Sequence, residues 1–402
     1  MPQEGSSRMP WKILAGSWLL AFAMFCPMFC IPPMEHILRE ELLLTHAQTS
    51  LLFTAPILMI VALAIPAGLI ADRIGVRKAA GIGAIIIAVG AILRGTATDA
   101  SSLLAFTFIY GVGLGWLFPN LPKLISTWVP REKAGVATGI YSTGIQTGAG
   151  LPLAITMSLV FPITNTFQGV FFIWSIPPIA AAILWWVLVR EPTRNSIPSE
   201  PTSKSNVLLR RVLQNKDLWL VSILLLLQNF FFYTWSGWVP LLMRLKGATA
   251  SLAGLITSVT LWVGIPAVLL LPRLSHKLGL RKPFLWVPAI ILALSAWGVM
   301  HIPLSLSLLI MTLAGIGTTT LFTMILILPV DMRPKEEVGT ASGLVISVGY
   351  IGGILGPLIG GHILDRTGSL DLSLLILIWI AVAAVIIAFR LPETGPKARF
   401  KK

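Results

Sequence analysis

The chain alternates between long apolar runs and short polar breaks. Runs of about 20 residues are read at 11–33, 48–71, 79–97, 101–126, 135–160 and 167–189, then at 217–243, 249–272, 283–301, 304–329, 339–363 and 371–390. At about 1.5 Å per residue, a helix of this length crosses the roughly 30 Å hydrocarbon core of a bilayer. Most of the runs are apolar all round, whereas a helix on a soluble domain keeps a polar face. The pattern therefore predicts an all-α membrane protein of twelve transmembrane helices. The first run is longer than the apolar region of a signal peptide and lacks a small-residue cleavage site, so it reads as a span. Between the sixth and seventh runs lies a polar stretch with Pro192, Pro198, Pro201 and several serines, which reads as a linker. The expected organisation is a six-helix bundle over 1–189, a cytoplasmic linker over 190–216 and a second six-helix bundle over 217–402.

Composition agrees: 55% of residues are hydrophobic and 11% charged, against about 25% charged in an average soluble domain. The net charge of +14 needs a reading of its own. Lys and Arg sit in the short breaks, not along one face, so they report membrane topology and exclude a nucleic-acid partner. With the N-terminus inside, the inner segments hold 25 of the 30 basic residues, leaving Arg39, Arg94, Arg244, Lys246 and Arg366 outside. This predicts a multi-pass protein of the cell inner (plasma) membrane with both termini cytoplasmic and lipid as its surroundings. The two cysteines, Cys26 and Cys30, lie on one run and read as small apolar fillers. No metal cluster, phosphate loop or nucleophile–base set is present in the sequence, so neither a cofactor nor an enzymatic activity is expected.

One break stands out. Gly68-Leu69-Ile70-Ala71-Asp72-Arg73-Ile74-Gly75-Val76-Arg77-Lys78 ends the second run and opens the third, and a degraded copy follows 204 positions later. Gly75 matches Gly279, and Arg77-Lys78 match Arg281-Lys282. The same offset relates Gly111 and Gly113 to Gly315 and Gly317, and Gly135, Ala137 and Gly139 to Gly339, Ala341 and Gly343. A constant offset over paired runs means two halves built on one plan.

These features resemble the major facilitator superfamily over nearly the whole chain. The resemblance implies two pseudo-symmetric six-helix bundles, a central site and alternating access. It also implies a latch on the cytoplasmic side. Gly68, Asp72, Arg73, Gly75 and Arg77 carry the signature, with Asp72 facing the start of the eleventh span and Arg131 and Glu336 as charged neighbours. A carboxylate at a helix N-terminus meets unpaired N–H groups and the positive helix end. In the second copy His276 replaces Asp72 and Pro272 replaces Gly68, so the matching tie there is expected to be weaker or pH-sensitive, or His276 is simply a solvated loop residue. Within the superfamily the segment Asn120-Leu121-Pro122-Lys123, with Arg94, is similar to the cyanate- and nitrate-permease-like branch. The spans in which nitrate carriers place arginines, the second and eighth, hold no Arg at mid-depth. The position where proton-using members often carry an Arg in the fourth span is Thr107.

Candidate substrate-binding residues are the polar and aromatic side chains that lipid would not tolerate well. They are Asn120, Lys123, Trp116, Gln146, Gln228, Asn229, Tyr233 and Tyr350. The alternative for Lys123 is to snorkel to the inner interface, and for the others to tie helices together. No Asp or Glu lies deep in a predicted span, and Glu35 is placed just outside the first. The expected function is secondary transport of a small solute, leaning to an organic or inorganic anion drawn by Lys123 and Arg94, with a coupling proton as a further partner and a monomer as the working unit. The alternatives are export of drugs or lipophilic metabolites, and a receptor on the same scaffold that does not transport.

Overall fold

The computed structural model describes residues 11–129, 131–190 and 210–399. Twelve of its helices are long and apolar enough to cross a membrane. In chain order they are α1 (Trp11–Leu42), α2 (His46–Ile74), α3 (Val76–Gly95), α4 (Ala100–Trp128), α5 (Gly135–Thr164), α6 (Phe167–Leu188), α7 (Lys216–Leu245), α8 (Ala250–Leu278), α9 (Pro283–His301), α10 (Leu304–Met332), α11 (Glu337–Thr367) and α12 (Leu370–Arg390). The stretch read as a linker falls mostly outside the described residues.

Local chemistry sets the helix starts. Thr45 and Gln48 form a reciprocal capping box at α2, Thr45 N donating to Gln48 Oε1 at 2.8 Å. Asp99 accepts from Ser101 N and Ser102 N at 2.9 and 3.0 Å and opens α4. Thr166, Asn215, Thr249 and Ser369 cap α6, α7, α8 and α12 in the same way. Each side-chain oxygen satisfies an N–H that would otherwise lack a partner at the first turn. The first span is not one rod. Its helix ends at Phe29, a 3₁₀ turn covers Pro32–Met34, and a second helix runs over Glu35–Leu42. Neither proline has an N–H to continue the ladder, so the span bends there.

Packing repeats the sequence offset. α1 lies on α5 through Gly148, where a Cβ would collide with the Phe22 carbonyl. α7 lies on α11 through Gly352, 204 positions on, where a Cβ would collide with the Leu226 carbonyl. Close backbone approach through small residues is how helices associate where no water drives them together. One buried core draws on α1–α6 with Tyr233, Leu261 and Tyr350 added, and the other draws on α7–α12. Between these sets α2 packs on α11 and α5 on α8.

The two ends of the helix array differ. At the end holding the α1–α2 and α11–α12 turns, here the far end, Asp365 of α11 accepts the backbone N–H of His46 and Ala47 at 2.8 and 2.9 Å. Ser251 Oγ of α8 donates to Met157 O at 3.0 Å at the same end. At the opposite end, the termini end, Gly68 of α2 and Gly339 of α11 have nothing within 4 Å of where a Cβ would stand.

Candidate functional site

Midway along the array the two halves meet through rings. Phe29 of α1 packs on Phe53 of α2 at 5.3 Å between centroids and reaches Phe232 and Tyr233 of α7 at 6.3 and 6.5 Å. Phe118 of α4 lies edge-on to Tyr350 of α11 at 5.5 Å, and Tyr350 lies 6.4 Å from Tyr233. Edge-to-face pairs at such separations add about 0.5–1.5 kcal/mol each beyond burial. Of these, Tyr233 and Tyr350 are legible in the sequence as candidates. Phe29, Phe53, Phe118 and Phe232 are not, because a phenylalanine in an apolar run looks the same whether it faces lipid or a partner helix.

The amides stand beside this bridge. Asn120 follows Phe118 in a 3₁₀ turn that interrupts α4. Its Nδ2 donates to Trp116 O at 2.8 Å, and its Oδ1 is buried with no partner among the described residues. Gln228 Nε2 donates to Thr318 O at 3.3 Å, and its Oε1 is likewise buried with no partner among them. In both cases the neighbour is a carbonyl, so the amide must present its NH₂ to it and the oxygen is the free atom. Asn229 Nδ2 donates to Gly349 O at 3.1 Å, next to Tyr350. Trp116 packs its indole on Gly83 of α3, and its Nε1 has no partner among the described residues. Gln146 lies where α5 crosses α8, and its Nε2 donates at 3.1 Å to Oγ1 of Thr319 on α10, the residue after the partner of Gln228. It ties the halves together there.

The two cations that suggested an anion site lie elsewhere. Lys123 Nζ pairs with the Asp72 carboxylate at the termini end and stands 3.5 Å from Gly68 O. Both side chains are partly exposed, Asp72 about half. Arg94, read as a charge at the outer end of the third span, is fully buried. Its guanidinium donates to Pro27 O at 2.6 Å and lies 4.2 Å from the Phe171 ring and 5.3 Å from the Tyr110 ring. A carbonyl in the proline-bent span takes its hydrogen bond and two ring faces take its charge. The side chains of Arg131 and Glu336 lie outside the described residues. Arg73 is exposed, and Arg77 is turned away from α11, donating to Trp186 O at 3.2 Å. Gly75 has φ +90° and makes the reversal between α2 and α3.

In the second copy of the signature His276 is exposed, and the turn is tied within its own half by Arg281, which is buried and donates to Asp331 Oδ2 and Ser275 Oγ, both at 2.9 Å. One expectation is corrected. Glu35, placed just outside the first span, is enclosed at 4% exposure because the chain continues as a helix past Pro33 and brings the carboxylate back against α2 and α7.

The fold and this arrangement define a helical solute carrier, and comparison with known proteins specifies which. The sequence profile of the Major Facilitator Superfamily matches residues 17–357 and 242–402. The chain belongs to the major facilitator superfamily and is a twelve-span transporter of a small solute, not an enzyme. It is 24% identical to an uncharacterized transporter, YycB, of Bacillus subtilis over 91% of this chain and 90% of that one. It is 24% identical to the cyanate transport protein CynX of Escherichia coli over 84% and 86%, and 25% identical to the 2-nitroimidazole transporter of Escherichia coli over 90% and 91%. Among solved structures, a bacterial homologue of the human lysosomal transporter Spinster superposes with a TM-score of 0.78 at 18% identity, over 96% of this chain and 97% of that one.

Proposed function

We propose that the protein carries a small, hydroxylated or N–H-bearing organic anion across the cytoplasmic membrane by alternating access. The two bundles, 1–189 and 217–402 joined by the 190–216 linker, rock about the Phe29–Tyr233–Tyr350–Phe118 bridge. The observation that carries the solute class is the pair of buried, unpartnered amide oxygens, Asn120 Oδ1 and Gln228 Oε1, beside aromatic rings. An unmet acceptor in a dry site favours a ligand that brings a donor and rejects one that does not. The ring edges supply the positive side for the carboxylate. Relatives at comparable similarity are named for gentisate in Corynebacterium glutamicum (27% identical) and for D-galactonate in Escherichia coli (25%), both hydroxylated organic acids. A second reading, an uncharged heteroaromatic solute, is favoured by the placement of Lys123 and Arg94 away from the bridge.

The basic residues place both termini and the Asp72 turn in the cytoplasm. On that orientation the Asp365 contact supports a shut outer side, and we read the open space at Gly68 and Gly339 as a parted inner side. In this reading the latch of Asp72 on the start of α11 is released, and Lys123 holds the carboxylate until the bundles rock back.

Counterflow in liposomes tests the solute class with four probes: 2,5-dihydroxybenzoate, D-galactonate, nitrate and 2-nitroimidazole. The expected result is exchange of the first two, slowed at least tenfold by Asn120→Leu and Gln228→Leu, since each loses about 1.4 kcal/mol or more of pairing. Exchange of nitrate alone would end the donor argument, and exchange of 2-nitroimidazole alone would establish the second reading.

A further inference from the structure

We propose that Asp365 is an outer latch paired with Asp72, and that the seam between α2 and α11 is a two-position switch with one carboxylate engaged at a time. This rests on the alternating-access reading above. The sequence carries a further copy of the signature that the offset of 204 does not produce. Gly361-His362-Ile363-Leu364-Asp365-Arg366-Thr367-Gly368 repeats Gly68, Asp72, Arg73 and Gly75 at the same spacing, 293 positions later. The offset between the halves sets Phe161, not an acid, opposite Asp365. Each copy closes a long helix. Asp72 lies near the end of α2 at the termini end, and Asp365 lies near the end of α11 at the far end. The last glycine of each copy has a positive φ, +90° at Gly75 and +67° at Gly368, and stops its helix. α2 and α11 run antiparallel and pack on each other, so each copy lies at the end where the other helix starts.

The far-end copy is engaged. Asp365 Oδ1 and Oδ2 accept the N–H of His46 and Ala47 at 2.8 and 2.9 Å, and Thr45 Oγ1 accepts that of Gln48 at 3.2 Å. The carboxylate thus meets two unpaired donors and the positive end of α2 together. Gly361 permits the approach, since a Cβ there would stand 2.9 Å from His46 O and 3.0 Å from Ala47 Cα. The termini-end copy is released. Gly68, in the place of Gly361, has nothing within 4 Å of a Cβ, and Asp72 is paired with Lys123. The engaged copy therefore shows how the released one closes: Gly68 comes against the backbone at the start of α11, and Asp72 takes its first N–H groups. Rocking shuts one end as it parts the other, so the two copies engage in turn. Both carboxylates belong to exposed residues, and water replaces each contact as it breaks, which keeps the exchange cheap. The other seam, α5 on α8, is held at the far end by a neutral bond instead, from Ser251 Oγ to Met157 O.

Electron-spin distance measurements on the full chain test this without a solute. One labelled pair, Thr96→Cys with Ser305→Cys, reads the far end, and another, Lys12→Cys with Lys277→Cys, reads the termini end. All four positions are exposed and each pair spans the halves, while the native Cys26 and Cys30 are buried. Asp365→Asn is expected to raise the ratio of far-open to far-shut molecules by about fivefold or more, and Asp72→Asn to lower it by a similar factor. The double variant is expected to return to within about twofold of the native ratio, because the two shifts oppose. Gly68→Ala meets nothing in the described conformation, so it leaves this state intact and obstructs the other. It is expected to lower the same ratio by about threefold or more. Asp365→Asn and Asp72→Asn moving the ratio in one direction overturns the proposal, and so does a Gly68→Ala variant with the native ratio. Should Asp365→Asn fail to fold, Gly361→Ala takes its place with the same expected sign, and Gly68→Ala still decides. The failures of the two ideas are distinct. Two populations that ignore every variant overturn the paired latch alone, whereas one fixed distance at each end in every sample overturns the alternating-access reading with it.

Discussion

The turn between α2 and α3 and the turn between α8 and α9 are copies 204 residues apart, and they hold their halves together in opposite ways. In the first, Asp72 is half exposed and, among the described residues, bound to Lys123 across the groove to α4, and Gly75 has open space where a Cβ would stand. In the second, the guanidinium of Arg281 is buried between Asp331 and Ser275. The C-terminal segment then closes over this turn. Glu393 accepts from Arg281 N and Lys282 N at 2.7 and 3.1 Å at the start of α9, and Lys397 N donates to Gly279 O at 3.2 Å. Arg77, the counterpart of Arg281, instead donates to backbone carbonyls of α6 and lies 5.1 Å from the Trp186 ring. The proposed rocking needs one contact that breaks cheaply. An exposed pair is worth about 0–1 kcal/mol, whereas breaking a buried one costs about 3–5. On that proposal the first turn is the one that lets go and the second the one that stays shut.

The sharpest way to break this contrast is to remove the two arginines in turn. Arg281→Ala removes a buried guanidinium from its bonds to Asp331 and Ser275 and is expected to cost about 3–5 kcal/mol. Arg77→Ala removes partly exposed hydrogen bonds to carbonyls and a ring contact, for about 1–2 kcal/mol. Thermal unfolding of both variants in detergent should show the larger fall for Arg281→Ala. Equal falls would mean that the second turn is no tighter than the first.

Next in size are the two glycines at the reversals. Gly75 has φ +90° and Gly279 φ +70°. Gly279, at ψ 19°, lies in the left-handed helical region, where an alanine costs about 1–2 kcal/mol, whereas Gly75, at ψ 143°, lies in a region essentially restricted to glycine, where it costs about 1–3 kcal/mol. At Gly279 the added Cβ would also come within 2.7 Å of Lys397 Cγ, whereas at Gly75 it meets nothing. Gly279→Ala should therefore speed hydrogen exchange in the C-terminal segment, and Gly75→Ala should not. If exchange there is unchanged, the segment does not clamp the turn.

The limits of the sequence follow from the same contrast. Span positions are legible because a bilayer demands long, uniformly apolar helices, and the paired Gly148 and Gly352 sit where the offset puts them. Pairings between helices are not. Nothing near Lys123 in the chain points to Asp72, 51 positions earlier, because the approach of α4 to α2 creates that pair. Arg94 looks like a loop-edge charge until the bent α1 offers it the Pro27 carbonyl. Glu35 looks external until the helix past Pro33 folds it inward. The aromatic bridge was half visible: its tyrosines carry a polar atom that lipid would not satisfy, and its phenylalanines do not.

The smallest effect on stability belongs to the movable contact, and it carries the most functional information. Asp72→Asn removes a pair that water already screens, so unfolding should shift by less than about 1 kcal/mol. If Asp72 also closes the termini end by meeting the free N–H groups of α11, the amide weakens that closure by about 0.3–2 kcal/mol at the helix terminus. Counterflow should slow more than stability falls, and the parted population at the termini end should rise. Lys123→Gln tests the other side of the same exchange. It frees Asp72 without touching the latch, so it should shift the population toward closure of the termini end. Parallel effects of the two variants on that population would show that Lys123 and α11 do not compete for one carboxylate.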